Sequence, residues 1–199
     1  MQTLLIATTN GDKMREIAAK FQEGGLADIG LLDLTAYPSY VPPEENGATF
    51  AENARIKALA AAAMSGHAAL ADDSGLTVEA LEGAPGIFSA RYAGTGHNSA
   101  ANNAKLLLEL AEVPPEKRQA AFCCAIALAL PAGRFWLAEA QVEGIILEAP
   151  QGSGGFGYDP LFYLPRLGRA MAELSPQEKN RMSHRALALE KAMALLRRL

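Results

Sequence analysis

Leu70-Ala71-Asp72-Asp73-Ser74-Gly75 places two adjacent carboxylates at the end of an apolar run and follows them at once with Ser-Gly. An apolar strand that hands acids to a glycine turn presents them at the strand's carboxyl edge, where α/β sheets keep their ligands. The same residues also suit an ordinary polar turn. The rest of the chain therefore has to supply partners before these acids count as a site.

The first partners lie at the start of the chain. Thr3 to Thr9 reads as a buried strand with a polar end, broken by Asn10-Gly11. Met14, Ile17, Ala18 and Phe21 then recur at helical spacing, and Gly24-Gly25 stops the helix. Strand, tight polar turn and helix is the geometry that offers backbone N–H groups to an anion. Lys13 falls in the first helical turn, where the dipole disfavours a cation, so either a bound anion or solvent exposure accounts for it.

Ile29 to Leu34 is a second short strand. Residues 35–47, with Pro38, Pro42 and Pro43, form an ordered surface loop that carries Glu44-Glu45. Thr49-x-x-Glu52 is a capping box opening an alanine-rich helix to about Ser65, ended by Gly66. Ala68 to Ala71 is the strand that delivers Asp72-Asp73, and Leu76 to Leu81 extends as a further strand. Gly94 to Asn98 is loop, and Ser99 caps a helix to about Ala111 with Leu106, Leu107 and Leu110 inward. Residues 118–148 form the longest β region, a long antiparallel hairpin turning at Pro131-Ala132-Gly133. A short strand follows at Leu161 to Tyr163. Ser175-Pro176-Gln177-Glu178 is another capping box, and a final helix runs from about His184 to Arg198.

Three groups could carry chemistry. Gly152-x-Gly154-x-x-Gly157 matches dinucleotide-binding spacing, but Pro160 follows and no helix opens there, so the fingerprint fails. Those glycines instead let backbone approach a ligand and aim Phe156, Tyr158 and Asp159 at it. Asp72, Asp73, Glu44 and Glu45 are oxygen donors that could hold Mg²⁺ together with substrate phosphates, or could simply be solvated acids. Lys179, Arg181, His184 and Arg185 fall just before or at the start of the last helix, where cations oppose the dipole unless an anion or polar ligand is present.

Composition bounds the partners. Hydrophobic residues are 50% and charged residues 20% of the 199, which permits a large core in one domain or two closely joined lobes. A net charge of -4 argues against nucleic acid as a partner. The amino-terminal residues lack a basic leader, and the most apolar stretch, 120–132, is too short to span a membrane. The only two cysteines, Cys123 and Cys124, are adjacent and lack metal-ligand spacing. A reduced, cytoplasmic protein is expected.

Six motifs then stand in order: Thr8-Thr9-Asn10-x-x-Lys13; Glu44-Glu45 with Gly47 and Thr49-Phe50; Ala71-Asp72-Asp73-Ser74-Gly75-Leu76; Ala84-Pro85-Gly86-Ile87 with Ser89-Ala90-Arg91-Tyr92; Gly154-Gly155-Phe156-Gly157-Tyr158-Asp159-Pro160; and Lys179 with Ser183-His184-Arg185. Together they resemble the inosine/xanthosine triphosphate pyrophosphatases. The resemblance implies an elongated α/β fold with a long central mixed sheet flanked by helices, in which 1–199 is a single domain of two lobes with a substrate cleft between them, acting as a homodimer. It implies Mg²⁺-dependent hydrolysis of ITP, dITP or XTP to the monophosphate and pyrophosphate, which clears damaged purine nucleotides from the pool. By the same resemblance Thr8, Thr9, Asn10, Gly11, Asp12 and Lys13 would hold the triphosphate. Asp73 would be the proton acceptor and a metal ligand, with Glu44 preferred over Glu45 as the other ligand. Ser74 would touch substrate, and Phe156, Gly157, Tyr158, Asp159, Lys179, His184 and Arg185 would enclose base and sugar. The family often has glycine after the His-Arg pair. Here Ala186 stands in its place, which bears on substrate preference and not on the reaction.

Overall fold

The computed structural model describes residues 3–94 and 98–198. Met1 and Gln2, read above for a leader, and the middle of the expected 94–98 loop lie outside the described residues. The strands are β1 Thr3–Ile6, β2 Gly30–Asp33, β3 Ala68–Val78, β4 Gln119–Ala129, β5 Phe135–Ile146, β6 Phe162–Leu164 and β7 Arg169–Ala170. The helices are α1 Gly11–Glu23, α2 Phe50–Ser65, α3 Ser99–Glu109, α4 Pro176–Met182 and α5 His184–Leu196. The strands make one mixed sheet in the order β2-β1-β3-β4-β5-β6-β7, so the chain is α/β as its sequence implied. It divides into two compact units, Met1–Asp73 with Cys124–Ala140 and Arg185–Leu199, and Ser74–Cys123 with Gln141–His184.

In the first unit β1 pairs in parallel with β2, from Thr3↔Gly30 to Ile6↔Asp33, and with β3, from Leu4↔Ala68 to Ile6↔Leu70. Strand side chains alternate between faces. Leu4, Ile6, Leu70, Cys124, Ile126 and Leu128 therefore point one way and pack on Ile17 and Phe21 of α1 and on Ala188, Leu189, Ala192 and Met193 of α5. Leu5, Ala7, Ala69, Ala71, Ala125, Ala127 and Ala129 point the other way onto Ala54, Ala58, Ala61 and Ala62 of α2. Alanine on both partners lets that helix sit close to the sheet. Burying the larger side chains of the first face stabilises by about 1.5–3 kcal/mol each.

The second unit has its own core. Leu76, Val78, Leu106, Leu110, Phe122, Ile146, Leu161 and Phe162 pack together, with Leu107 partly buried against them. β4 and β5 are neighbours in the sheet, joined by a turn closed by the Leu130 N–H donating to the Arg134 carbonyl at 2.8 Å. So short a connection permits only antiparallel neighbours, the expected hairpin.

Several local expectations need correction. Asp72-Asp73-Ser74-Gly75 is not a turn: β3 runs unbroken through it to Val78, and Leu76 continues that strand instead of starting another. Eight of its eleven residues are buried, so packing keeps the glycine extended where isolated turn chemistry would bend it. The edge at which the acids emerge belongs to β1, whose last residue, Ile6, pairs with Leu70 two positions before Asp72. Asn98, not Ser99, caps α3, accepting the Ala101 N–H at 3.1 Å. Glu52 reciprocates the Thr49 cap one residue early, accepting from the Ala48 N–H at 2.7 Å. Lys179 and Arg181 sit in the last turn of α4, where the helix dipole favours cations.

Candidate active site

Alternation along β3 sends the two adjacent acids to opposite faces. Asp72 shares the face of Leu70 and meets α1 and α5. Lys13 Nζ lies 3.0 Å from Asp72 Oδ1, and Arg185 Nε lies 3.1 Å from Oδ2. Arg185 in turn reaches Glu16 through Nη1 at 2.5 Å. Lys13 and Glu16 are one turn apart on α1, so a single helix face holds both ends of this network. Burial alone would push the Asp72 carboxyl up. Lys13, Arg185 and Lys57 outweigh it and hold the group well below the usual carboxylate range. Arg185, also buried, is raised because Asp72 and Glu16 overcome the desolvation that would lower it.

Asp73 shares the face of Ala69 and Ala71 and meets α2. Lys57 Nζ lies 2.7 Å from Asp73 Oδ1 and 3.2 Å from Glu45 Oε1. Asn53 Nδ2 donates to Asp73 Oδ2 over a long 3.4 Å. Here burial is the largest influence and Glu45 adds to it. The Asp73 carboxyl is raised despite Lys57, opposite in sign to its neighbour. The two neighbouring carboxyls of one strand are thus shifted in opposite directions, Asp72 down and Asp73 up.

At the start of α1 the Asn10 side chain caps the helix by accepting the Asp12 and Lys13 N–H groups at 2.9 and 3.1 Å, and Thr8 Oγ1 accepts the Asn10 N–H at 3.1 Å. Thr9 and Gly11 are exposed and Asp12 pairs with Arg15. Thr8 to Lys13 therefore form an ordered helix N-terminus.

In the second unit, Lys179 Nζ lies 2.6 Å from Asp159 Oδ2 and 4.4 Å from the Phe156 ring centroid. Asp159 also accepts the Phe156 N–H at 2.8 Å, which closes the glycine loop on itself. The Tyr158 hydroxyl donates to the Ser89 carbonyl at 2.8 Å, and burial pushes its pKa up. The His184 ring stacks on Phe122 at 4.8 Å between centroids.

The family model of the Ham1 family matches residues 4–195. The chain belongs to the Ham1 family. It is 53% identical over 191 residues to a dITP/XTP pyrophosphatase of Geobacillus kaustophilus, covering 96% of this chain and 92% of that one. It is 50% identical to the dITP/XTP pyrophosphatase of Desulforamulus reducens, covering 98% and 96%. Among solved structures, a HAM1 protein from Coxiella burnetii superposes with a TM-score of 0.90 at 41% identity, covering all of both chains.

The Ham1 chain brings some of the expected residues together and separates others. Asp73 sits with Lys57 and Glu45, whereas Glu44 is exposed and is not the acid on Lys57. Lys13 and Arg185 meet on Asp72; Phe156, Asp159 and Lys179 form their own cluster. Ser74 is half-buried in β3. Sequence reasoning passed over Glu16, Asn53 and Lys57. A signal was available for two of them: Asn53 and Lys57 are one turn apart in an alanine-rich helix, and polar residues at that spacing share a face.

Proposed function

We propose that this chain hydrolyses non-standard purine nucleoside triphosphates, ITP, dITP and XTP, to the monophosphate and pyrophosphate, removing them from the nucleotide pool. The observation that carries this reading is the near-full-length likeness to dITP/XTP pyrophosphatases. The placement of Asp73 supports it: Lys57 and Asn53 hold its two oxygens, and Glu45 reaches the same Lys57 ammonium.

In this mechanism water attacks the α-phosphorus, the bond to the bridging oxygen breaks, and pyrophosphate departs with the bonding electrons. Asp73 takes the proton from the attacking water. Lys13 and the amino-terminal end of α1, from Thr8 to Lys13, receive the triphosphate and its growing charge. Asp72 holds Lys13 in place until phosphate oxygens compete for it. Ser74, the next residue of β3, is the proposed substrate contact.

Mg²⁺ is the cation this reading requires, and the donors suit it. Asp73 and the Glu44-Glu45 pair offer only hard oxygens, and Glu45 and Asp73 reach the same Lys57 ammonium, so the acid pair of the loop comes close to Asp73. Among the described residues no group of three or more His, Cys, Asp or Glu side chains is arranged as a metal cage, so substrate oxygens would have to complete the coordination. Asp73 and Glu44 are the ligands proposed, with Glu45 tied to Lys57. When bound there, the ion would neutralise phosphate charge in the ground state and on the leaving group.

Phe156, Gly157, Tyr158, Asp159, Lys179, His184 and Arg185 are assigned to base and sugar. A donor facing position 6 of the purine pairs with a 6-oxo group and is left unpaired by adenine's amino group. Such sites discriminate by up to ~10⁴ or more. The protein is further proposed to be a cytoplasmic homodimer. Among the described residues no helix is long and apolar enough to cross a membrane.

Incubation with ITP, XTP, dITP, ATP and GTP plus Mg²⁺ tests the reading. Monophosphate and pyrophosphate from the first three, with little from ATP or GTP, is expected. Release of orthophosphate would overturn the reaction type, and light scattering tests the dimer.

A further inference from the structure

Asn53 is wholly buried, on the face of α2 otherwise occupied by alanines. A carboxamide there is costly unless both of its ends are bonded. Its Oδ1 accepts the Gly47 N–H at 2.8 Å, and its Nδ2 points to Asp73 Oδ2 at 3.4 Å. The two partners also fix its orientation: a backbone N–H meets only the carbonyl end of the amide, and a carboxylate meets only the NH₂ end.

One helical turn later Lys57 makes the same pair of connections, to Glu45 at 3.2 Å and to Asp73 Oδ1 at 2.7 Å. Both oxygens of Asp73 and two points of the 44–47 loop are therefore held from one helix face. We infer that Asn53 is a positioning residue that fixes the Glu44–Gly47 loop at its working distance from Asp73.

The choice of residue follows from chemistry. Aspartate would accept from Gly47 but set a second carboxylate against Asp73. Leucine would leave the half-buried Gly47 N–H without this acceptor. Gly47 is matched to this contact: a Cβ there would lie 2.7 Å from Asn53 Oδ1, 2.7 Å from Glu52 Cβ and 3.0 Å from the Asn53 backbone nitrogen. Only glycine allows loop and helix to approach this closely.

The metal part of the test rests on the proposed pyrophosphatase reading; the loop part does not. Asn53→Leu removes both bonds, and Gly47→Ala displaces the loop without touching Asp73. Each is compared with the wild type by hydrogen exchange over residues 44–48, by Mn²⁺ titration followed by electron paramagnetic resonance, and by kcat and KM for ITP. In both variants exchange over 44–48 should quicken at least about tenfold, and Mn²⁺ affinity should fall by about 10–100-fold, the usual effect of losing a group that orients a metal ligand. A merely structural Asn53 would lower the unfolding midpoint and leave Mn²⁺ affinity unchanged, which overturns the inference, as do exchange rates within twofold of wild type. A wild type that binds no Mn²⁺ would remove the metal reading alone, and the exchange rates would still decide the role of Asn53. If Asn53→Leu fails to fold, Gly47→Ala carries the same test.

Discussion

Arg185 Nε lies 3.1 Å from Asp72 Oδ2 across 113 residues of chain, and both side chains are almost completely buried. The pair ties the start of α5 to the middle of β3 on the face that α1 also covers. Because Glu16 and Lys13 complete it, every charge in the network has an opposite neighbour, the condition under which ions tolerate burial.

Asp72→Asn breaks that balance by leaving a buried guanidinium and Lys13 short of a carboxylate. The expected cost is about 3–5 kcal/mol, read from urea unfolding at pH 7. The acid dependence has a definite sign. The folded-state pKa of Asp72 is depressed from 3.8, so its contribution is complete above that unfolded value and is lost as pH falls toward the lower folded value. The stability gap between wild type and Asp72→Asn should therefore narrow below about pH 3.8 and stay constant from pH 5 to 7.

Asp73→Asn has the opposite thermodynamic sign. Burial first, then Glu45, raises the folded pKa of Asp73, so above its unfolded value the charged form opposes folding. A neutral amide should leave stability at pH 7 equal to or slightly above wild type, with Lys57 keeping Glu45 as partner. Turnover of ITP should nevertheless fall by about 10²–10⁴-fold, the range for loss of a positioned base. Near-wild-type kcat would remove Asp73 from the mechanism.

The contrast between these neighbours explains how much the sequence could reveal. The Asn10 cap, the Gly66 stop and the Ser175–Glu178 capping box depend on a few adjacent residues and were legible. Opposite facing of Asp72 and Asp73 depends on β3 remaining extended through Ser74-Gly75. Packing of both strand faces decides that, and no local rule reports it. The spacing of Asn53 and Lys57 puts them on one helix face, but what that face meets is decided only when the fold sets α2 against the odd-numbered face of β3. The assignment of Glu45 to Lys57 likewise arises only when a proline-rich loop lands on that helix.

Gly155→Ala should disrupt the loop that carries Phe156. Its φ is +69°, and an added Cβ would fall 2.1 Å from Asp159 Oδ2, which would have to abandon the Phe156 N–H and Lys179. Gly157→Ala shares the positive φ, +63°, but meets open space. The second variant should lose about 1 kcal/mol through backbone strain alone. The first should lose at least that much again and raise KM for ITP. Equal unfolding midpoints for the two variants would refute the steric part.

Lys179 is bound to Asp159 and is also proposed to meet substrate, and a double-mutant cycle separates the two. Lys179→Ala takes the Lys179 ammonium away from the buried Asp159 carboxyl, a loss of about 3–5 kcal/mol when such a pair is broken from one side. Asp159→Asn in the same chain removes the other member of the pair, so the double variant should recover much of that stability. The Asn side chain can still accept the Phe156 N–H through its oxygen. Substrate binding should not recover with it, because the cation stacked on Phe156 is still missing. KM for ITP should rise by about tenfold in Lys179→Ala and remain raised in the double variant, with kcat little changed. If KM returned to the wild-type value as stability recovered, Lys179 would be a purely structural partner of Asp159.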